Sequence, residues 1–277
     1  MMDFAASLAR VRERAPLVQC ITNFVTVNDC ANIILAAGGS PSMAGDVREA
    51  AEAVCGAQAL VCNMGAIEMV DSMVSAGKKA NELGKPVILD PVAVGGTQLR
   101  REAAGRLLDE VHFTVIRGNA SEIRYLAERR ATVGSGVDVM AVDVVTRDNL
   151  SAVAKMVREL AARTGSVIAL SGVLDVVSDG KNVVVLENGC ATMSRITGSG
   201  CMLTSLIGAF CGADPEHGFA AACAAMAAMG VCGEMAERLR LERGSGNASF
   251  RTDLIDAIFS LTEKQLLEGA HYEIFKG

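Results

Sequence analysis

The sequence has no tryptophan and two tyrosines, and aromatic residues make up 4% of it. Platforms on which nucleic-acid bases stack are built from such rings, so their scarcity disfavours single-strand binding. A formal charge of −6 likewise disfavours partnership with nucleic acid or an anionic membrane surface. The three histidines, His112, His217 and His271, stand at no metal-ligand spacing, and cysteine–histidine zinc patterns are missing. There is no G-x-x-x-x-G-K-[ST], which excludes a P-loop, and no G-x-S-x-G nucleophile elbow. The nine cysteines are odd in number and include no C-x-x-C pair. Residues 1–14 mix Asp3, Arg10, Arg12, Glu13 and Arg14 with short apolar steps, unlike a secretory signal. A disulfide framework is therefore not expected, and a reducing cytoplasm is.

What is present is an apolar, glycine-rich chain of 277 residues, 51% hydrophobic and 21% charged, with 28 glycines. That length makes one large domain or two small ones, either able to bury a substantial core. Helical patterns over 3–14, 27–37, 47–55, 67–83, 99–110 and 120–129 alternate with short β-branched runs at 60–62, 87–89 and 113–116. Strands apolar on both faces and separated by helices predict a parallel sheet covered on each side. After a helix over 149–163 and a strand at 167–170, the runs 175–178 and 182–186 flank Asp179-Gly180-Lys181, a hairpin turn. An antiparallel portion is expected there, and from Gly198 onward the pattern is almost wholly helical. The alanine-rich stretch 218–233 falls short of the ~20 apolar residues of a membrane span. It predicts a core or subunit-contact helix. With no linker and no internal repeat, the expectation is one three-layer α/β/α domain over 1–277, mostly parallel with an antiparallel edge portion.

The most distinctive segment is Ile196-Thr-Gly198-Ser-Gly200-Cys201-Met-Leu203-Thr-Ser-Leu206. Two glycines at an expected strand-to-helix switch can turn backbone N–H groups toward an anion at a helix N-terminus. They can equally serve a tight turn, and the pattern alone leaves both open. Leu203 occupies the third glycine position of the dinucleotide fingerprint, and Ala220 stands where its acidic residue would be. Cys201, in the first turn, is either a small buried hydrophobe or a thiol whose pKa the helix end lowers. Asp90 closes the run 87–89, and Arg117-Gly-Asn119-Ala-Ser-Glu122 follows 115–116. Carboxylates at the ends of parallel strands suit Mg²⁺ held with substrate phosphates, although a Glu after Asn and Ser is also ordinary helix-start chemistry. Arg117 is a phosphate fork or a surface charge. Asn23 and Met43 are loop residues for which capping and gap-filling suffice.

Asn119-Ala-Ser-Glu122 together with Gly198-Ser-Gly200 resembles the ribokinase-like superfamily. The segments TNFVTVNDCANIILAAGGSPSMA, VILDPVAVGGT, IRGNASE and ITGSGCMLTSLIGAFC closely resemble the hydroxyethylthiazole kinase family, over about 17–211. The resemblance implies a ribokinase-like fold and ATP- and Mg²⁺-dependent phosphorylation of the primary alcohol of 4-methyl-5-(2-hydroxyethyl)thiazole, a step of thiamine salvage. It implies that Asn23, Met43 and Gly65 line the thiazole pocket, with Gly198 at the alcohol end. Arg117, Ser171, Asn119 and Gly200 are implied to meet ATP and its phosphates, and Asp90 and Glu122 to serve Mg²⁺. Cys201 stands where most of the superfamily places an aspartate base, and is implied to be the catalytic residue. Ser171 replaces a threonine common in the family, and Val173 stands where a glutamate often does. A homotrimer with sites between subunits is implied as well. The alternatives are a kinase of a hydroxymethylpyrimidine or pyridoxal-type alcohol, a dehydratase on the same fold, or a non-catalytic metabolite-binding protein. The two enzyme rivals usually carry aspartate at the Cys201 position.

Overall fold

A computed structural model describes residues 2–128 and 144–276. The chain opens with α1 (Phe4–Arg14), whose N-terminus is capped by Asp3 accepting the Ala6 N–H, and β1 (Leu17–Ile21). There follow α2 (Val27–Ala37), β2 (Ser40–Ser42), α3 (Ala50–Gly56), β3 (Ala59–Asn63), α4 (Val70–Glu82), β4 (Val87–Asp90) and α5 (Gln98–Glu110). Next come β5 (Val115–Asn119), α6 (Ala120–Glu128), α7 (Leu150–Thr164), β6 (Val167–Ser171), β7 (Asp175–Ser178) and β8 (Val183–Leu186). The last third holds α8 (Ser199–Ala213), α9 (Gly218–Arg243), α10 (Asn247–Ser260), α11 (Glu263–Gly269) and β9 (Tyr272–Ile274). The helix expected over 120–129 is present through Glu128, and its last position, Arg129, lies outside the described residues.

The described strands form one nine-stranded sheet in the order β2-β1-β3-β4-β5-β6-β7-β8-β9. From β2 to β6 all pairs are parallel; from β6 onward they are antiparallel, as the Asp179-Gly180 turn predicted. Successive strand residues feed opposite cores, as the period of two requires. Val18, Cys20, Val61, Ile88 and Val115 pack with α1, α2, α8, α9 and α10. Ile21, Leu60, Cys62, Leu89 and Ile116 pack with α3 to α7. The result is the three-layer α/β/α arrangement expected.

Three strands are additions to the sequence reading, each for a local reason. In β1 the polar Gln19 interrupts the apolar run, yet it is fully buried and donates to the Ala44 carbonyl. The β2 segment Ser-Pro-Ser has no strand propensity and is ordered by pairing with β1 at the sheet edge, where proline is tolerated. At the opposite edge β9 pairs with β8, which ends the otherwise helical C-terminal third in a strand. The approach to Gly198 is also corrected. It is a 3₁₀ turn (Ala191–Arg195) rather than a strand.

The alanine-rich helix α9 passes the length and hydropathy test for a membrane span, but every residue from 221 to 233 is buried inside the fold. Small side chains let it pass close beneath β5–β8, which makes it the core helix of the two roles expected. A similar closeness governs α8. A Cβ on Gly208 would come within 2.7 Å of Val61 Cγ2 and 3.1 Å of Val18 Cγ1. Gly208→Leu should therefore lift α8 off β1 and β3 and cost about 1–3 kcal/mol by overpacking. The measurement is urea unfolding, with a lower midpoint at unchanged slope expected and an unchanged midpoint contradicting the contact.

Candidate active site

The carboxyl ends of the parallel strands are in register, so the residues that close them converge. Asn63 pairs with Asp90 across β3 and β4, and Asn119 with Ser171 across β5 and β6. The start of α8 lies over this edge. Gly198 sits at φ +85°, in the left-handed region, and a Cβ there would collide with Thr26 Cγ2 at 2.6 Å. Glycine is thus required for backbone reasons. The anion-site role remains open beside it, because no side chain caps the first turn of α8. Gly200 is a glycine for a different reason: a Cβ there would lie 2.5 Å from Arg117 Nη1. The guanidinium crosses directly above it.

Arg117 is 8% exposed. Its Nη2 donates to Ser171 Oγ at 2.5 Å, and its Nη1 lies 3.7 Å from Asp90 Oδ2. Asp90, 1% exposed, also receives Asn63 Nδ2 at 3.0 Å and Thr204 Oγ1 at 2.8 Å on the same oxygen. Its other oxygen, Oδ1, is buried with no hydrogen-bond partner. Burial pushes the Asp90 carboxyl up, against the pull of Arg117, Thr204 and Asn63. Glu122 is raised by burial and then by the charge of Asp90. Both Glu122 oxygens are bonded, Oε1 by the Ala93 N–H at 2.9 Å and Oε2 by the Asn119 N–H at 2.8 Å. Asn119 Oδ1 in turn accepts the Glu122 N–H, so the helix-start role of this motif is realised alongside its place in the site. Past Ser171, the Gly172 N–H donates to Asp175 Oδ1, and burial pushes that carboxyl up to about 7.

Cys201 is half-buried in the first turn of α8, and its sulfur accepts Asn63 Nδ2 at 3.2 Å and Asn23 Nδ2 at 3.6 Å. Asn23 is held by the Val25 N–H, the Thr26 N–H and the Thr26 hydroxyl, all on its Oδ1. The expectation of a lowered thiol pKa is overturned. Burial, followed by the nearby Asp90 charge, pushes Cys201 up to about 11, against the donors from Thr26 and Asn63. Gly65 lies against the Asn23–Asn63 pair. Met43 stands one strand further out, past the end of β2, half-buried against the core and outside the hydrogen-bonded cluster. Asn23, Gly65, Gly198, Cys201, Asp90 and Arg117 are thus brought together, with Ser171, Asn119 and Glu122 adjoining.

Asn63, Thr204 and Thr26 belong to the cluster and were not singled out in the sequence. A polar residue ending an all-apolar strand, and a hydroxyl inside the apolar run of α8, are the signals that point to the first two. A cavity of about 510 Å³ lies elsewhere, at the amino ends of β5 and β6, lined by Asn81, His112, Phe113, Leu160, Arg163 and others. It includes none of these site residues.

Comparison with known proteins places this geometry in context. The family model described as the hydroxyethylthiazole kinase family matches residues 8–264. A hydroxyethylthiazole kinase of Clostridium acetobutylicum is 44% identical over 270 residues, spanning 97% of this chain and 98% of that protein. One of Ruminiclostridium cellulolyticum is 46% identical over 258 residues, 92% of each chain. The solved structure of a Pyrococcus horikoshii hydroxyethylthiazole kinase superposes with a TM-score of 0.86 at 33% identity, over the whole of both chains. Pyridoxal kinase from Staphylococcus aureus shares the fold alone, at a TM-score of 0.54 and 13% identity over 76% of this chain and 85% of that one.

The raised thiol has a direct readout. Iodoacetamide attacks the thiolate, so Cys201 should be modified slowly at pH 7–8, with a rate still climbing beyond pH 9. The exposed Cys55 should be the first site labelled. Site-resolved mass spectrometry measures both, and rapid labelling of Cys201 at pH 7 would contradict the raised value.

Proposed function

The chain belongs to the hydroxyethylthiazole kinase family, and from that premise we propose how its residues share the work of phosphoryl transfer. It is a ribokinase-like kinase that moves the terminal phosphoryl group of ATP to the primary alcohol of 4-methyl-5-(2-hydroxyethyl)thiazole. The observation that carries the assignment of roles is the meeting of Cys201, the uncapped first turn of α8 and Arg117 at one strand edge. Asn23, Met43 and Gly65 line the thiazole pocket, and Gly198 lies at its alcohol end. The first-turn N–H groups and Arg117 face the phosphates, with Ser171, Asn119 and Gly200 beside them.

Transfer through a loose transition state needs alignment and charge stabilisation more than a strong base. Cys201, neutral at physiological pH and so already holding its own proton, orients the hydroxyl by hydrogen bonding, and the hydroxyl proton leaves late, to an oxygen of the transferred phosphoryl group. A preorganised donor in such an anion hole is worth on the order of 3–4 kcal/mol.

The donor set also fits Mg²⁺. Asp90 presents a buried oxygen with no donor, and Glu122 lies close enough to feel its charge. Among the described residues no group of three or more His, Cys, Asp or Glu is placed to form an all-protein cage. Two carboxylates suit an ion that keeps its waters and takes its remaining ligands from phosphate oxygens. When bound, Mg²⁺ supplies neutralisation of the phosphate charge at this edge. One domain over 1–277, a cytoplasmic location and a homotrimer complete the proposal. For the trimer, the support is Phe24 and Val25, beside Asn23, which stand 85% and 58% exposed at the lip of the pocket. A neighbouring subunit would cover them.

ATP and Mg²⁺ offered with thiazole, pyrimidine and pyridoxal alcohols, reading ADP release, tests the reading. Turnover is expected with the thiazole alcohol; robust turnover of another alcohol and none of this one would sink it. Cys201→Ala should lower kcat about 10²-fold without abolishing it, and wild-type rates would remove Cys201 from the chemistry. Light scattering after size exclusion should report a trimer, and a fully active monomer would contradict the shared site.

A further inference from the structure

We propose that Asn63 is the positioning residue of the Cys201 thiol. This rests on the reading of the chain as a thiazole-alcohol kinase with Cys201 at the alcohol. Asn63 is 1% exposed at the last position of β3. Its amide orientation is fixed by its neighbours. The Gly65 backbone N–H, which can only donate, lies 2.8 Å from Oδ1, so the oxygen must face Gly65 and the nitrogen must face the other way. Oδ1 also accepts Asn23 Nδ2 at 3.2 Å. Nδ2 donates to Asp90 Oδ2 at 3.0 Å and to Cys201 Sγ at 3.2 Å. Both donors and both acceptor positions of the side chain are thereby used.

Two consequences follow for the thiol. Its sulfur is held from one side by N–H groups, from Asn63 and more distantly from Asn23. The S–H hydrogen is therefore excluded from that side and directed away from both amides. With its lone pairs engaged on that side, the neutral thiol meets the alcohol as an S–H donor rather than as a proton acceptor. Gly65 supplies an independent observation. A Cβ at that position would lie 2.6 Å from Asn63 Oδ1 and 2.8 Å from Asn23 Nδ2. The glycine two residues after Asn63 thus leaves the space in which the two amides meet.

The test is a double-mutant cycle on kcat with the thiazole alcohol. Asn63→Ala is made in the wild-type chain and in a Cys201→Ala background. Its contact with Asp90 is lost in both backgrounds, so that part of the effect cancels and what remains is the part exerted through the thiol. The expected result is a loss of at least about tenfold in the wild-type background and less than about threefold in the Cys201→Ala background. A purely structural role would give equal losses in both, and that result would overturn the proposal. Should Asn63→Ala fail to fold, Asn63→Ser, which keeps a single short donor, enters the same cycle with the same criterion. Wild-type turnover of the thiazole alcohol with equal losses overturns the Asn63 assignment alone. No wild-type turnover of that alcohol overturns the substrate reading, and this inference falls with it.

Discussion

The carboxylate of Asp90, taken out of water at the end of β4, is the constraint on which the rest of the site depends. A buried charge without partners costs several kcal/mol, so the surrounding elements must bring donors to it. They come from three directions: Asn63 from β3, Arg117 from β5 and Thr204 from α8. Each donor then imposes a further condition. Arg117 leans inward over position 200, where a Cβ would lie 2.5 Å from its Nη1 and displace the guanidinium. Thr204 Oγ1 also lies 3.1 Å from the Gly200 carbonyl one turn back, its single hydrogen shared between that carbonyl and the carboxylate, and this holds the first turn of α8 close to Asp90. Asn63, committed to Asp90 with one N–H, has its other N–H for Cys201. The glycine pattern that marks this segment in the sequence is in part a consequence of an acidic residue on a distant strand.

That dependence explains what could be read in advance. Strands β3 to β8 were legible because each is a short, mostly β-branched apolar run bounded by turn or helix-start residues, and the hairpin turn marked the change to antiparallel pairing. The edge strands were not. Ser40–Ser42 is extended only because β1 lies beside it, and Tyr272–Ile274 because β8 does. Within the site, Asp90, Arg117 and Glu122 stood out as charges at the ends of apolar runs. Asn63 did not, since a neutral amide at the end of an apolar strand acquires its meaning from partners on β4 and α8 that only the fold supplies. Of the two readings open for the thiol, the lowered pKa fails for the same kind of reason. A helix N-terminus is visible in sequence, whereas the burial and the Asp90 charge that dominate Cys201 are properties of the assembled site.

A neutral thiol at this position is consistent with the charges around it. Burial already raises the cost of ionising both Asp90 and Glu122, and the Asp90 charge raises it further for Glu122. A third carboxylate at position 201 would add repulsion in a region where few solvent dipoles remain to screen it. Sulfur avoids that cost. It is large and polarizable, accepts weak hydrogen bonds from two amides at long range, and stays uncharged as a thiol at neutral pH. The chemistry permits this economy because little negative charge accumulates on the attacking oxygen before the phosphoryl group moves. The group beside the alcohol then has to be correctly placed rather than strongly basic. Placement is what the amide pair provides, and its geometry is fixed by the backbone of Gly65 on one side and by the buried carboxylate of Asp90 on the other.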